Sequence, residues 1–266
     1  MNHEECCVYV RTDQAQIIRS LVELLKDLIF EATFVFSESG IKVSSMDSSK
    51  SSLVYLKLEA SAFEEYHVQC EHHVGVSLQL LHKLVKISTS SDTLTLFVRK
   101  TLTHELGIHI QNRESNNKTL FSLKMLDLNY TNIMLPSLEY EHVVQINSQM
   151  FQRLIRDMQN LAPNVALSTG PDTDGALVLS CVGDFAQQTT TIGERNELPP
   201  GAGRGLLQPF SSTYSLKYLA LFSKSSSLSS SLTIYMSSSQ PLVLCFLVGS
   251  LGNIKFLLSP IDTDTE

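Results

Sequence analysis

The residues best suited to chemistry come as near-misses of known motifs. His104-Glu105 opens like a zinc-protease pattern, yet the position four beyond His104 is Ile108 and the next histidine is His109. That spacing does not put two imidazoles on one helical face, and the stretch reads as strand. Asp172-Thr173-Asp174-Gly175 begins like a calcium loop, but Gly183 stands where the bidentate glutamate belongs, which leaves a tight hairpin turn. Gly201, Gly203 and Gly205 follow Pro199-Pro200 with no strand before them, and no phosphate-loop lysine motif occurs; the segment reads as a flexible loop. His72-His73 is a lone doublet, and no serine or cysteine sits in an activating context. There is thus no catalytic residue, metal ligand set or cofactor to assign, and the expectation is a protein that is not an enzyme. What remains is cationic. Arg19 and Lys26 lie seven apart, Lys83 and Lys86 three apart, Arg153 and Arg156 three apart, Lys217 and Lys224 seven apart. Each spacing shares one helical face, and cations paired on a face contact phosphates without reading bases.

The elements that would carry these pairs are four segments with apolar residues three and four apart. The first follows Thr12 with Ile17, Leu21, Leu24, Leu25 and Leu28. The second follows Gly75 with Leu78, Leu81, Leu84 and Val85. The third follows Ser148, read as its N-cap, with Phe151, Leu154, Ile155, Met158 and Leu161; the fourth follows Ser212 with Leu216, Leu219 and Phe222. Each basic pair falls off its apolar stripe. The separation from Thr12 to Ser148 nearly equals that from Gly75 to Ser212, so a unit of strands and two helices is used twice. The rest alternates as short strands, with a hairpin over Thr33–Val43 turning at Ser37-Glu38-Ser39-Gly40. Strands at this density make antiparallel sheets, an α+β class.

A chain of 266 residues suffices for two domains, and 43% hydrophobic content is that of a folded one. No apolar run reaches the ~18 residues of a membrane helix. The start, Met1-Asn2-His3-Glu4-Glu5, lacks an apolar signal core, so secretion is not expected and the sequons at Asn117 and Asn129 read as idle. Five cysteines without paired spacing fit a reducing compartment. The formal charge of −7 argues against nucleic-acid binding until its distribution is read. Glu64-Glu65, Glu139, Glu141 and the tail Asp262–Glu266 lie off the helices, whereas eight of the 20 Lys and Arg lie on them.

Several stretches carry a family resemblance across nearly the whole chain. They are Leu25-Lys-Asp-Leu-Ile-Phe-Glu-Ala32, Ser45-Met-Asp-Ser-Ser49, Lys124-Met-Leu-Asp-Leu128, Arg153-Leu-Ile-Arg-Asp157, Leu216-Lys-Tyr-Leu219 and Gly252-Asn-Ile-Lys-Phe-Leu-Leu-Ser-Pro260. They resemble the proliferating-cell-nuclear-antigen family of eukaryotic-type DNA sliding clamps. The resemblance implies a DNA-clamp fold of two similar domains, 1–124 and 141–266, joined by a connector at 125–140, and a closed ring of three copies. Arg19, Lys26, Lys83, Lys86, Arg153, Arg156, Lys217 and Lys224 then face duplex DNA without sequence specificity. Met46, Lys50, Leu53, Leu126, Ile133, Leu135, Pro241, Leu257, Ser259 and Pro260 form a pocket for the clamp-binding peptide of DNA polymerase, clamp loader and repair proteins. The subunit seam joins edge strands at 119–124 and 186–192, through Leu120, Phe121, Leu123, Gln188, Thr190 and Ile192, with Ile155, Met158 and Leu161 behind it. No membrane partner is implied, and the implied location is the nucleus or, for a viral member, a viral replication compartment. Departures accompany the match: Lys50 stands where the family usually has histidine, and Ala166 where a ubiquitin-accepting lysine is expected. No lysine occurs between Lys124 and Lys217. A mixed ring and a lower oligomer remain alternatives to three identical copies.

Overall fold

The computed structural model describes residues 3–47, 49–131, 133, 140–173, 175–193 and 208–261. In the first half the order is β1 (Cys6–Thr12), α1 (Ala15–Leu28), β2 (Glu31–Ser37), β3 (Gly40–Met46), β4 (Ser52–Glu59), β5 (Glu65–Val68), β6 (His72–Ser77), α2 (Leu78–Val85), β7 (Asp92–Arg99), β8 (Leu102–Asn112) and β9 (Lys118–Lys124). The second half runs β10 (His142–Asn147), α3 (Ser148–Gln159), β11 (Asn164–Thr169), β12 (Leu177–Val182), β13 (Gln187–Ile192), β14 (Phe210–Ser215), α4 (Leu216–Ser223), β15 (Ser231–Met236), β16 (Leu242–Val248) and β17 (Gly252–Leu258). The chain divides into two compact units. One comprises Met1–Ser45, Val54–Ile133 and Leu247–Ile254; the other comprises Met46–Leu53, Met134–Phe246 and Lys255–Glu266.

In the first unit, strands β5-β1-β7-β8-β9 form an antiparallel sheet with β9 at its edge. The period of two sets its two faces. Opposite Leu106, Ile108 and Ile110 of β8 stand Leu123, Phe121 and Thr119 of β9, on the core side, while Leu120 and Ser122 point the other way. The expected hairpin is present, with β2 and β3 in register at Val35↔Lys42. Helices α1 and α2 pack together. Ile18, Leu21, Val22, Leu24 and Leu25 of α1 are buried, each aliphatic chain contributing roughly 1.5–3 kcal/mol. The stripe is turned slightly from the expected one, since Ile17 and Leu28 are only half-buried.

The second unit repeats the construction. Strands β13-β12-β11-β14 form an antiparallel sheet with β13 at its edge, and α3 packs on α4. Phe151, Ile155 and Met158 of α3 and Leu216, Leu219 and Phe222 of α4 supply the core. Two expected helix starts move. The cap of α3 is Asn147, whose Oδ1 accepts the Met150 N–H at 2.9 Å. Ser148 is instead buried in the first turn, its hydroxyl donating to the Ser229 carbonyl. Ser212 does not precede a helix but lies in β14 opposite Leu167, and α4 begins at Leu216 with its N–H donating to Pro163 O at 2.9 Å. A strand therefore feeds each helix: β1 into α1, β6 into α2, β10 into α3 and β14 into α4.

Candidate nucleic-acid interface and docking surface

The helix packing leaves the basic pairs outward. Lys83, Lys86, Arg153, Arg156, Lys217 and Lys224 are exposed, while Arg19 and Lys26 are half-buried. Arg19 donates from Nη1 to the Ser88 carbonyl at 3.1 Å, and Lys26 Nζ lies 3.0 Å from Asp27 Oδ1. Among the described residues none of Lys83, Lys86, Arg153, Arg156 and Lys217 enters an ion pair. Such cations keep their full charge for an external anion.

His82 belongs to this surface and was not singled out by sequence reasoning. It is half-buried on α2, and its imidazole is pushed below its ordinary pKa first by burial and then by Lys26, Lys86 and Arg19, with Glu23 opposing. The imidazole thus registers the positive field between α1 and α2. Its place four residues before Lys86 was the available signal.

In the second unit, the segment around β3–β4 meets the C-terminal strand. Met46 is 44% exposed, Lys50 is exposed with a left-handed φ of 58°, and Leu53 is buried. Ser259 N–H donates to Ser51 O at 3.0 Å, bringing exposed Ser259 and Pro260 to this loop. Leu257 is buried beneath and Pro241 is half-buried. Leu126 and Ile133 are half-buried and belong to the first unit. There Leu126 N–H donates to Gly75 O at 2.8 Å, and a Cβ on Gly75 would stand 2.3 Å from Leu126 O, so this approach requires glycine. Leu135, with the other connector residues at 132 and 134–139, lies outside the described residues.

Asp47 holds the loop. Its Oδ1 accepts the Ser52 N–H at 2.7 Å, and its Oδ2 accepts the Tyr218 hydroxyl at 2.7 Å and the Ser49 hydroxyl. Burial pushes the Asp47 carboxyl up, but the bonds from Ser49, Ser52 N–H and Tyr218 outweigh it and bring the pKa down to about 2. Tyr218 sits on α4 beside Lys217, so one helix carries a candidate phosphate contact and the clasp of the Asp47–Ser52 loop.

At the sheet edges, Leu120 is 54% exposed and Phe121 is half-buried, while Leu123 is buried. On β13 Gln188 and Thr190 are half-buried and Ile192 is buried. Ile155 and Met158 are wholly buried within their own unit, so neither is exposed to touch a neighbouring copy.

Two units built alike, each with a helix pair bearing outward cations and a sheet ending in an open edge, define a doubled α+β fold of the clamp type. The comparisons agree. The family models for the proliferating cell nuclear antigen N-terminal and C-terminal domains match residues 8–132 and 134–261. A probable DNA polymerase sliding clamp 1 of Paramecium bursaria Chlorella virus 1 is 32% identical across 98% of this chain and 99% of its own. A proliferating cell nuclear antigen of Chaetomium thermophilum is 28% identical across 96% of this chain and 98% of its own. The chain belongs to the proliferating-cell-nuclear-antigen family.

Proposed function

We propose that the chain is a DNA sliding clamp, a polymerase processivity factor that closes as a ring of three copies around duplex DNA and tethers replication and repair proteins by a short peptide. In this reading the domains are 1–124 and 141–266, with the connector at 125–140. The carrying observation is that Lys83, Lys86, Arg153 and Arg156, on and at the end of α2 and on α3, are exposed and enter no ion pair among the described residues. Contacts of this kind bind phosphate without sequence preference and are weakened by salt. Topology then supplies residence, because a closed ring leaves duplex only by opening, so each contact is weak enough to allow sliding. The role needs no catalytic group, and it is performed wherever DNA is copied, in a nucleus or a viral replication compartment.

Sedimentation of the purified chain tests the ring, with a mass of three copies expected together with stimulation of primer extension. A stable monomer that still stimulates the polymerase overturns the ring for this chain. A second test reads the surface through His82. In free protein its imidazole titrates below the ordinary histidine value. Burial depresses it first and Lys26, Lys86 and Arg19 second; added duplex brings phosphate to those cations and removes their share, so the midpoint measured by NMR rises and a proton is taken up on binding. An unmoved midpoint means that α1 and α2 do not face the duplex.

A further inference from the structure

The two most exposed large apolar side chains among the described residues are Phe185, at 79%, and Val182, at 76%. Both belong to the β12–β13 hairpin in the second unit. Its turn is fixed rather than slack: Gly183 N–H donates to Ala186 O at 2.9 Å, and a Cβ on Gly183 would stand 1.9 Å from Leu161 O. An aromatic ring held out in water on a rigid turn costs apolar exposure with no return inside the protomer.

A matching hollow lies in the first unit. A cavity of about 170 Å³ opens on the outer face of the β7-β8-β9 sheet, where Phe97, Leu102, Gly107, Leu120 and Phe121 share the lining with Arg99, Glu105 and Ser122. Glycine at 107 of β8 lets the Phe97 ring of its wall lie against the strand, since a Cβ there would stand 2.1 Å from that ring. The Arg99 guanidinium lies 5.5 Å from the Phe97 centroid, bordering the hollow with a cation that attracts ring faces. A cavity of roughly 150 Å³ is large enough to take a benzene ring; here the Ser122 hydroxyl donates to the Glu105 carboxylate, so those two polar groups satisfy each other and leave Phe97, Leu102 and Leu120 to meet a ring.

The seam that the family resemblance implies, β9 against a neighbour's β13, brings knob and hollow to the same place. All ladders described in both edge sheets are antiparallel. Antiparallel pairing of β9 with a neighbour's β13 sets Ile192 towards the Thr119 end and the 183–186 turn beyond Lys124, next to Leu102. Parity agrees as well. Core-side Phe121 and Leu123 match core-side Gln188 and Thr190, so Gln187 and its ladder partner Val182 fall on the outer face with Leu120 and Ser122, and exposed Phe185 projects from the turn that joins them. Exposed Asp184 then approaches exposed Lys124.

We propose that Phe185 of each copy is the anchor of the ring, its phenyl seated in the Phe97–Leu102–Leu120 hollow of the next copy, with Val182 covering the seam beside it. This rests on the ring reading and goes beyond it by naming the contact that closes each joint. The occupant is a second copy of this chain because both halves of the fit sit beside the open edges β9 and β13, and each copy supplies one of each.

Phe185 is so exposed that truncating it leaves the protomer fold intact, which makes the test clean. Phe185→Ala should raise the dissociation constant of one joint at least about thirtyfold, the range of a buried aromatic hot spot, with an unchanged melting temperature of the isolated protomer at high dilution. Phe185→Leu should retain most of the ring. Ser122→Trp, which fills the hollow from its own wall, should reproduce the Phe185→Ala loss, and both are read by sedimentation over a concentration series. A wild-type ring whose dissociation is unmoved by Phe185→Ala overturns the anchor alone. A wild-type chain that is monomeric at every concentration overturns both the ring and the anchor.

Discussion

Reversing Lys83, Lys86, Arg153 and Arg156 to glutamate is expected to abolish salt-sensitive DNA association while leaving the oligomer's mass unchanged. Binding through phosphates releases counterions, and log K falls with log salt at a slope of about 0.9 per phosphate neutralised. Four such contacts make the binding constant drop roughly a hundredfold between about 50 and 200 mM salt; in the variant that dependence flattens and the affinity at low salt collapses. All four side chains are exposed and without an ion pair, so each substitution should shift stability by no more than about 0.5 kcal/mol. The reversals also subtract eight charges from a chain already at −7, which by itself weakens attraction to DNA. A variant with Lys42, Lys57, Lys100 and Lys255 reversed carries the same net change on strands and a turn, and it should keep most of the association. Equal losses in the two variants, or no loss in the first, would remove the helices from the duplex surface.

The features legible in the sequence are those set by local spacing. Leu21, Leu24 and Leu25 marked α1, the Ser37–Gly40 turn marked the first hairpin, and the doubling followed from where the helices fall. Errors arose where tertiary pairing outbid local preference. Ser212 has the chemistry of a helix cap, but Ser211, Ser212 and Thr213 make ladder bonds with β11 that a cap could not match. Ser148 and Asn147 are both capable caps, and burial of Ser148 against Ser229 decided between them. The basic pairs were readable because exposure is the default for Lys and Arg. Phe185 was not, since an aromatic beside a turn is read as core until the sheet shows it pointing away. The partners of Asp47 were equally hidden, because Tyr218 lies far along the chain and only the fold brings it near.

That clasp carries the second large effect. Asp47→Ala removes the acceptor of Ser52 N–H and of the Tyr218 and Ser49 hydroxyls together, leaving a part-buried N–H and a hydroxyl unmatched. The expected cost is about 2 kcal/mol of protomer stability, and peptide affinity at the Met46–Lys50 loop should fall about tenfold or more, because binding must then reorder Met46 and Lys50. Tyr218→Phe deletes one hydroxyl only and should weaken the same peptide by roughly two- to tenfold, a loss of about 0.5–1.5 kcal/mol. The sign of the pH dependence follows from the lowered carboxyl pKa. A carboxylate whose folded pKa lies near 2 stabilises the fold above the unfolded value of about 4 and loses that contribution as pH falls between the two. The clasp therefore stays closed through the neutral range, and the wild-type advantage over Asp47→Ala should be constant from pH 6 to 8. Fluorescence anisotropy of a labelled clamp-binding peptide reads both variants, and Ile133→Ala with Leu135→Ala is the control at the connector residues that the family resemblance assigns to peptide binding. A double alanine that loses the peptide while Asp47→Ala and Tyr218→Phe keep it would show that the loop's shape is held by Ser259 and β17, and that the hydrogen bond from α4 only decorates it.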